Sequence, residues 1–113
     1  MAGCAPQTYQ SAPVDAEIAR DTLTHVLDAW RSGQSIESLR GESPAVVVQD
    51  FDWMRGDKLV EYQILGPGQE ANANLIAKVR LVLQRPDHEV QEQTVTYLVG
   101  TAPTLTVFRD IFH

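Results

Sequence analysis

The first third of the chain carries a helical repeat of apolar residues. At about 100° per residue, these side chains fall into one stripe made of Ala16, Ala19, Leu23, Val26, Leu27 and Trp30. Pro13 suits the first helical turn, Asp15 suits the positive end of the helix dipole, and Gly33 suits a left-handed C-terminal end. The pattern predicts an amphipathic helix over residues 13–31 and a short helical turn over residues 36–40.

After Pro44 the apolar period changes from about 3.6 to about 2, which indicates β-strands. A short β-branched run at residues 45–48 precedes four longer segments, at residues 58–65, 75–84, 90–99 and 104–109. Residues 66–68, 85–88 and 100–103 separate these segments with turn-forming types. Consecutive strands joined by turns pair as an antiparallel meander. We therefore predict an α+β fold, with one N-terminal helix packed on a curved four-stranded antiparallel sheet.

Size and charge limit the classes of protein to which this chain can belong. The chain has 113 residues, of which 43% are hydrophobic, and this is typical of one globular domain. The 9 lysines and arginines against 15 acids give a net charge of -6, which opposes binding to nucleic acid or to an anionic membrane surface. We divide the chain into a flexible N-terminal tail, residues 1–12, and a single domain, residues 13–113.

The only cysteine is Cys4, so an internal disulfide is excluded. Ala2-Gly3-Cys4 resembles the end of the lipobox of bacterial lipoproteins. That resemblance implies a lipid anchor on Cys4, with residues 1–12 as its tether, and a place in the cell envelope as a periplasmic or outer-membrane lipoprotein. The charged and apolar segments that precede a lipobox are not in the 113 residues, and a start codon assigned too late would explain this. The alternative is a cytoplasmic protein with an incidental cysteine.

The order of elements resembles the cystatin-like or NTF2-like α+β roll, in which a curved sheet cradles a helix. Several segments also resemble small uncharacterised envelope proteins of planctomycete-type bacteria. They are residues 27–33, 50–53 with Gly56, Leu59, Tyr62 and Ile64, and then 73–75, 94–101 and 106–110. The resemblance implies fold and location and adds no chemistry. This chain departs from the larger NTF2-like domains in lacking their second and third long helices, which implies a smaller cone between helix and sheet.

Two neighbouring carboxylates, Asp50 and Asp52, are candidates for a chemical role. On an extended segment Asp50 and Asp52 would point the same way, and such a pair can share a proton or hold a divalent cation. The alternative, which we favour, is a solvated loop anchored by inward-facing Phe51 and Trp53. The EF-hand pattern is missing and the three histidines lack metal-ligand spacing, so no metal and no cofactor are predicted.

Aromatic side chains are the other candidates for ligand binding. Trp30, Trp53, Tyr62 and Tyr97 could line a pocket in the cone, although ordinary core packing is the favoured interpretation. Val14 and Ile18 fall on the helix face away from the predicted sheet. That face indicates either a homodimer surface or packing by the N-terminal tail.

The function that we predict is a non-enzymatic cell-envelope domain that binds a partner protein or a small apolar ligand. The candidates for its binding residues are Trp30, Asp50, Asp52, Trp53, Tyr62 and Tyr97. Two alternatives stay open. One is a small NTF2-like enzyme that uses Asp50 or Asp52 in the cone as a general base. The other is a structural module that oligomerises through Val14 and Ile18.

Overall fold

A computed structural model describes residues 13–111 of the protein. The predicted tail, residues 1–12, and the candidate lipidation residue Cys4 lie outside the described residues. Three helices and five strands follow in the order α1 (Ala16–Arg31), α2 (Ile36–Arg40), β1 (Val46–Gln49), α3 (Phe51–Arg55), β2 (Lys58–Ala71), β3 (Asn74–Gln84), β4 (Val90–Gly100) and β5 (Leu105–Arg109). None of the helices within residues 13–111 has the length and apolar character needed to cross a bilayer.

Helix α1 begins three residues later than the sequence predicts, because Asp15 caps it. Asp15 is extended, with φ -86° and ψ 104°, and its carboxylate accepts a hydrogen bond from the Ile18 amide at 3.1 Å. The Asp15 amide donates to Thr101 Oγ1 at 3.1 Å, which ties the start of α1 to the turn between β4 and β5. The predicted apolar stripe is buried from Ala19 to Trp30.

All five strands form one sheet in the order β1-β5-β4-β3-β2. The strands β2 to β5 make the predicted antiparallel meander, whereas β1 pairs in parallel with β5. The predicted four-stranded, wholly antiparallel sheet is therefore wrong, and the sheet is five-stranded and mixed. Turn residues specify which consecutive segments pair. By contrast, no local pattern in the sequence specifies that β1 pairs with β5, the last strand.

One face of the sheet packs on α1 and forms the core. The predicted inner face of β3, from Leu75 through Val79 to Leu83, is confirmed, and these side chains are at most 2% exposed. Leu23 and Leu27 of α1 lie against them in the same core. The interior between helix and sheet is thus occupied largely by aliphatic side chains. The outer face carries Lys78 and Arg80 with Thr94, as expected for a face in contact with water.

Strand β2 does not end at residues 66–68 as predicted but passes through them in a bulge. Its register with β3 shifts between Leu65 and Gln69, where Gly66 and Gly68 have φ values of 79° and 84°. The hairpin closes later, at residues 72–73. Since β2 is an edge strand, the bulge and its charged residues discourage pairing with another chain.

Val14 and Ile18 separate in the folded protein. Val14 is 7% exposed and belongs to the core, whereas Ile18 is 47% exposed. The prediction that both residues face outward is wrong for Val14. Residue 14 precedes the Asp15 cap and is not helical, so the helical wheel does not apply to it.

Candidate functional site

Helix α3 is a single helical turn that the sequence pattern does not reveal. Asp50 caps it: Asp50 Oδ1 accepts hydrogen bonds from the amides of Asp52, at 3.0 Å, and Trp53, at 3.3 Å. As a result Asp50 and Asp52 are 2% and 1% exposed, while Phe51 is 49% exposed. The favoured solvated loop with Phe51 turned inward is wrong, because these residues form a helical turn that buries both carboxylates and exposes Phe51. Trp53 does lie inward, at 9% exposure.

Arg109 joins the two carboxylates. Its Nη2 atom lies 2.9 Å from Asp50 Oδ1 and 2.7 Å from Asp52 Oδ2, and its side chain is 4% exposed. The guanidinium also lies 4.7 Å from the centre of the Phe51 ring and 5.5 Å from that of Tyr97. Arg109 comes from β5, so this contact fixes α3 against the end of the sheet.

Tyr97 completes the environment of Asp50. Its hydroxyl donates to Asp50 Oδ2 at 2.5 Å, and the residue is 1% exposed. Burial raises the pKa of Tyr97 well above its ordinary value, and the negative charge of Asp50 acts in the same direction. The phenol is therefore a hydrogen-bond donor throughout the physiological pH range.

Two further arginines, Arg55 and Arg85, pair with Asp52 and with a third carboxylate, that of Asp57. Arg55 donates to Asp52 Oδ1 at 2.5 Å and to Asp57 Oδ2 at 3.0 Å, and Arg85 Nη1 lies 3.2 Å from Asp57 Oδ2. The resulting ion network contains three carboxylates and three guanidinium groups, those of Asp50, Asp52, Asp57, Arg55, Arg85 and Arg109. Its formal charge is balanced.

Hydrogen bonding within the ion network is nearly complete. The amide of Gln93 donates to Asp52 Oδ2 at 2.8 Å. Among the buried side-chain atoms of residues 13–111, Asp57 Oδ1 and Arg109 Nε lack a hydrogen-bond partner. Every carboxylate oxygen of Asp50 and Asp52 accepts at least one hydrogen bond from the protein.

The two tryptophans pack beside the ion network. Their rings are stacked, with centroids 5.2 Å apart and planes inclined by 3°, and Trp30 Nε1 donates to the backbone oxygen of Asp57 at 2.9 Å. They form the inner wall of a groove of about 560 Å³, which Lys58 and Gln84 also line. Trp30 is only 3% exposed, so little of the aromatic pair is available to a ligand.

Tyr62 lies apart from the other candidates. Its hydroxyl donates to Asp28 at 2.7 Å, and the Arg31 guanidinium lies 5.4 Å from the ring centre. Partial burial raises the pKa of Tyr62 to about 12, and the hydrogen bond to Asp28 adds to the shift. The structure therefore brings both Asp52 and Tyr97 into hydrogen-bond contact with Asp50, places the tryptophan pair next to them, and leaves Tyr62 on the β2 side of α1.

The arginines of the ion network were missed at the sequence level. One available signal was the alternation of β5, where Leu105, Val107 and Arg109 share a face. An arginine in register with two inward apolar residues indicates a buried cation that needs carboxylate partners. Gln93 gives a similar signal, because it belongs to the alternating series of Val95, Tyr97 and Val99.

The exposed side of α3 contrasts with its buried side. Phe51, Met54 and Ile111, which we call the apolar collar, are 49%, 70% and 69% exposed. They line a shallow pocket of about 290 Å³ together with Gln49, Asp50 and Arg109. An apolar rim over a neutralised ionic floor is suited to contact with another molecule rather than to proton transfer. Residues 13–111 contain no group of three or more side chains placed to hold a metal ion.

Replacing Arg109 should show how strongly the fold depends on the ion network. We expect Arg109→Met to lower the free energy of unfolding by about 3–5 kcal/mol, because two buried carboxylates lose their shared cation. The matched control is Arg80→Met, which removes pairs with Glu61 and Glu92 that are both 59% exposed and should cost less than about 1 kcal/mol. Urea denaturation measures both values. Similar losses for the two variants would contradict the structural importance of Arg109.

Tyr97 should make the protein sensitive to alkali. The unfolded chain ionises its tyrosines near pH 10, whereas burial keeps Tyr97 protonated in the folded state. Its contribution to stability is therefore fully present below about pH 10 and decreases as the pH rises toward its folded-state pKa. We expect the free energy of unfolding to decline less steeply between about pH 10 and 11 in Tyr97→Phe than in the wild type. Equal slopes in denaturation experiments would contradict this assignment.

Comparisons with known proteins do not identify the site. No protein-family model, curated protein sequence or solved structure matches the chain. The chemistry of the ion network and the apolar collar is therefore inferred from their own geometry.

Proposed function

We propose that the protein is a non-enzymatic domain that binds a partner protein through the apolar collar. The observation that carries this proposal is the placement of Phe51, Met54 and Ile111, all at least 49% exposed, around one pocket. They are three of the seven large hydrophobic side chains that are exposed in the described part of the chain, residues 13–111. Such a concentration of apolar surface at one place is typical of an interaction site.

The support beneath the collar favours a binding role. Phe51 and Met54 belong to a helical turn that the Asp50 cap and Arg109 hold in place. A partner would therefore meet side chains whose backbone is already ordered, which reduces the entropy lost on binding. Aromatic, methionine and arginine side chains are also the types enriched in protein interfaces.

Catalysis has less support from the same geometry. A general base needs a lone pair that can reach a substrate proton. The oxygens of Asp50 and Asp52 already accept hydrogen bonds from the protein, and both carboxylates contact Arg109. The small NTF2-like enzyme therefore remains the alternative proposal, with the pocket that Asp50 lines as the place where its substrate would have to bind.

The proposal also includes the fold family of the protein and its location in the cell. A helix on one face of an antiparallel meander supports a cystatin-like or NTF2-like roll, to which β1 adds a parallel edge strand. The Ala-Gly-Cys sequence at the start of the chain supports attachment to the cell envelope through Cys4. The oligomerising module has weaker support, because Val14 is buried and only Ile18 of that pair is exposed.

Site-specific photocrosslinking tests the collar in the full-length protein within its own cells. A benzoylphenylalanine at Met54 should form a discrete adduct with a partner protein, because this side chain is 70% exposed. The control places the same group at Thr94, which is exposed on the outer face of the sheet. Adding Phe51→Ser should abolish the Met54 adduct while changing stability by no more than about 1 kcal/mol. Equal adducts from both positions, or an adduct insensitive to Phe51→Ser, would contradict the proposal.

Fractionation of cells that express the full-length gene tests the tether. If Cys4 is lipidated, the wild-type protein should sediment with membranes and be released by detergent. The Cys4→Ser variant should then appear in the soluble fraction. A wild-type protein that is soluble and of unmodified mass would refute the lipid anchor without affecting the collar.

A further inference from the structure

A groove runs between α1 and the chain that leads into β1. It consists of two adjoining depressions, of about 600 and 450 Å³, which share Ile18, Pro44 and Leu105. We call it the α1–β1 groove. It lies beside the start of β5 at Leu105, whereas the apolar collar surrounds the other end of that strand at Arg109. The two surfaces are therefore distinct.

The floor of the α1–β1 groove is apolar. Ile18 is 47% exposed, Pro44 is exposed and Leu105 is partly exposed, while Val46 is buried beneath them. An apolar floor of this kind is stabilised when a side chain of similar character covers it. The depression is also within the size range of sites that hold a peptide side chain or a small ligand.

The rim of the groove is acidic. Asp21 of α1 and Glu42 of the segment before β1 line it, and no lysine or arginine is among the lining residues in the described part of the chain. His25 is the basic side chain at the rim, and its Nε2 atom lies 2.8 Å from Glu42 Oε1. That contact joins the two walls of the groove at one end.

Both arginines of helix α1 lie away from the groove. Its arginines lie on the β2 side, where Arg20 donates to the backbone oxygen of Pro67 at 3.2 Å and Arg31 lies over the Tyr62 ring. Asp21 and His25 lie on the β1 side. The groove therefore presents carboxylates beside apolar surface, with the helix cations turned away from it.

We propose that the α1–β1 groove binds a segment of a partner protein in which an apolar side chain is adjacent to a lysine or arginine. The apolar side chain would cover Ile18 and Leu105, and the cation would lie between Asp21 and Glu42. Charge complementarity selects such a segment over an acidic one. It also selects against a second copy of this chain, because each copy carries a net charge of -6.

Binding of defined peptides to the isotope-labelled full-length chain tests the proposal. Three capped hexapeptides are compared: alternating leucine and lysine, alternating serine and lysine, and alternating leucine and glutamate. We expect the leucine–lysine peptide to shift the amide resonances of Thr22, Ser43, Val46 and Leu105. The serine–lysine and leucine–glutamate peptides should bind at least tenfold more weakly, because each lacks one of the two required features.

Variants separate the groove from nonspecific attraction to an acidic protein. Asp21→Lys and Ile18→Ser should each weaken binding of the leucine–lysine peptide at least tenfold, and both positions are exposed, so folding should be retained. The control Glu70→Lys makes the same change of charge on β2 and should have little effect.

Four outcomes would overturn the proposal. The first is equal binding of the serine–lysine peptide, and the second is equal losses of affinity in Asp21→Lys and Glu70→Lys. The third is a dimer, seen by sedimentation, that Ile18→Ser dissociates, since a second copy would then occupy the groove. Amide shifts confined to the apolar collar would overturn the groove while supporting the proposed function.

Discussion

The shared guanidinium of Arg109 is the contact on which the geometry around α3 depends. Asp50 Oδ1 accepts hydrogen bonds from two backbone amides at the start of α3 and from the Arg109 side chain. The same oxygen atom therefore takes part in both the helix cap and the ion pair. Removing two carboxylates from water is expensive, and their attraction to arginine offsets that loss only when the geometry is good. Removing one partner from the ion network is therefore costly, because a buried carboxylate would lose its counterion.

The position of α3 has consequences on both of its sides. Inward, it places Trp53 flat against Trp30, and the Trp30 indole reaches the backbone of Asp57 at the start of β2. The end of α1, the turn α3 and the sheet are thereby joined. Outward, the same turn leaves Phe51 and Met54 exposed. The buried charges and the exposed apolar collar are thus two results of one short helix.

The surfaces with binding character lie at opposite ends of β5, and both depend on the mixed sheet. Because β1 pairs in parallel with β5, the segment before β1 passes beside α1 and forms one wall of the α1–β1 groove. The segment after β1 leads directly into α3 and the apolar collar. Leu23, Leu27 and Leu81 are packed in the core between α1 and the sheet. A partner would therefore bind at the surface of the protein rather than in an internal cone.

The sequence by itself determined the local features of this protein: the apolar stripe of α1, the alternation of β3 and the two later turns of the meander, at residues 85–88 and 100–103. These features follow from periods of about 3.6 and about 2, which a few neighbouring residues are enough to define. Only the tertiary structure decided that β1 joins β5, that Asp50 and Asp52 are buried, and that Tyr62 lies apart from Tyr97. Each of these depends on a partner distant in the chain. A carboxylate has the same local sequence pattern whether it is hydrated by water or paired with an arginine on another strand.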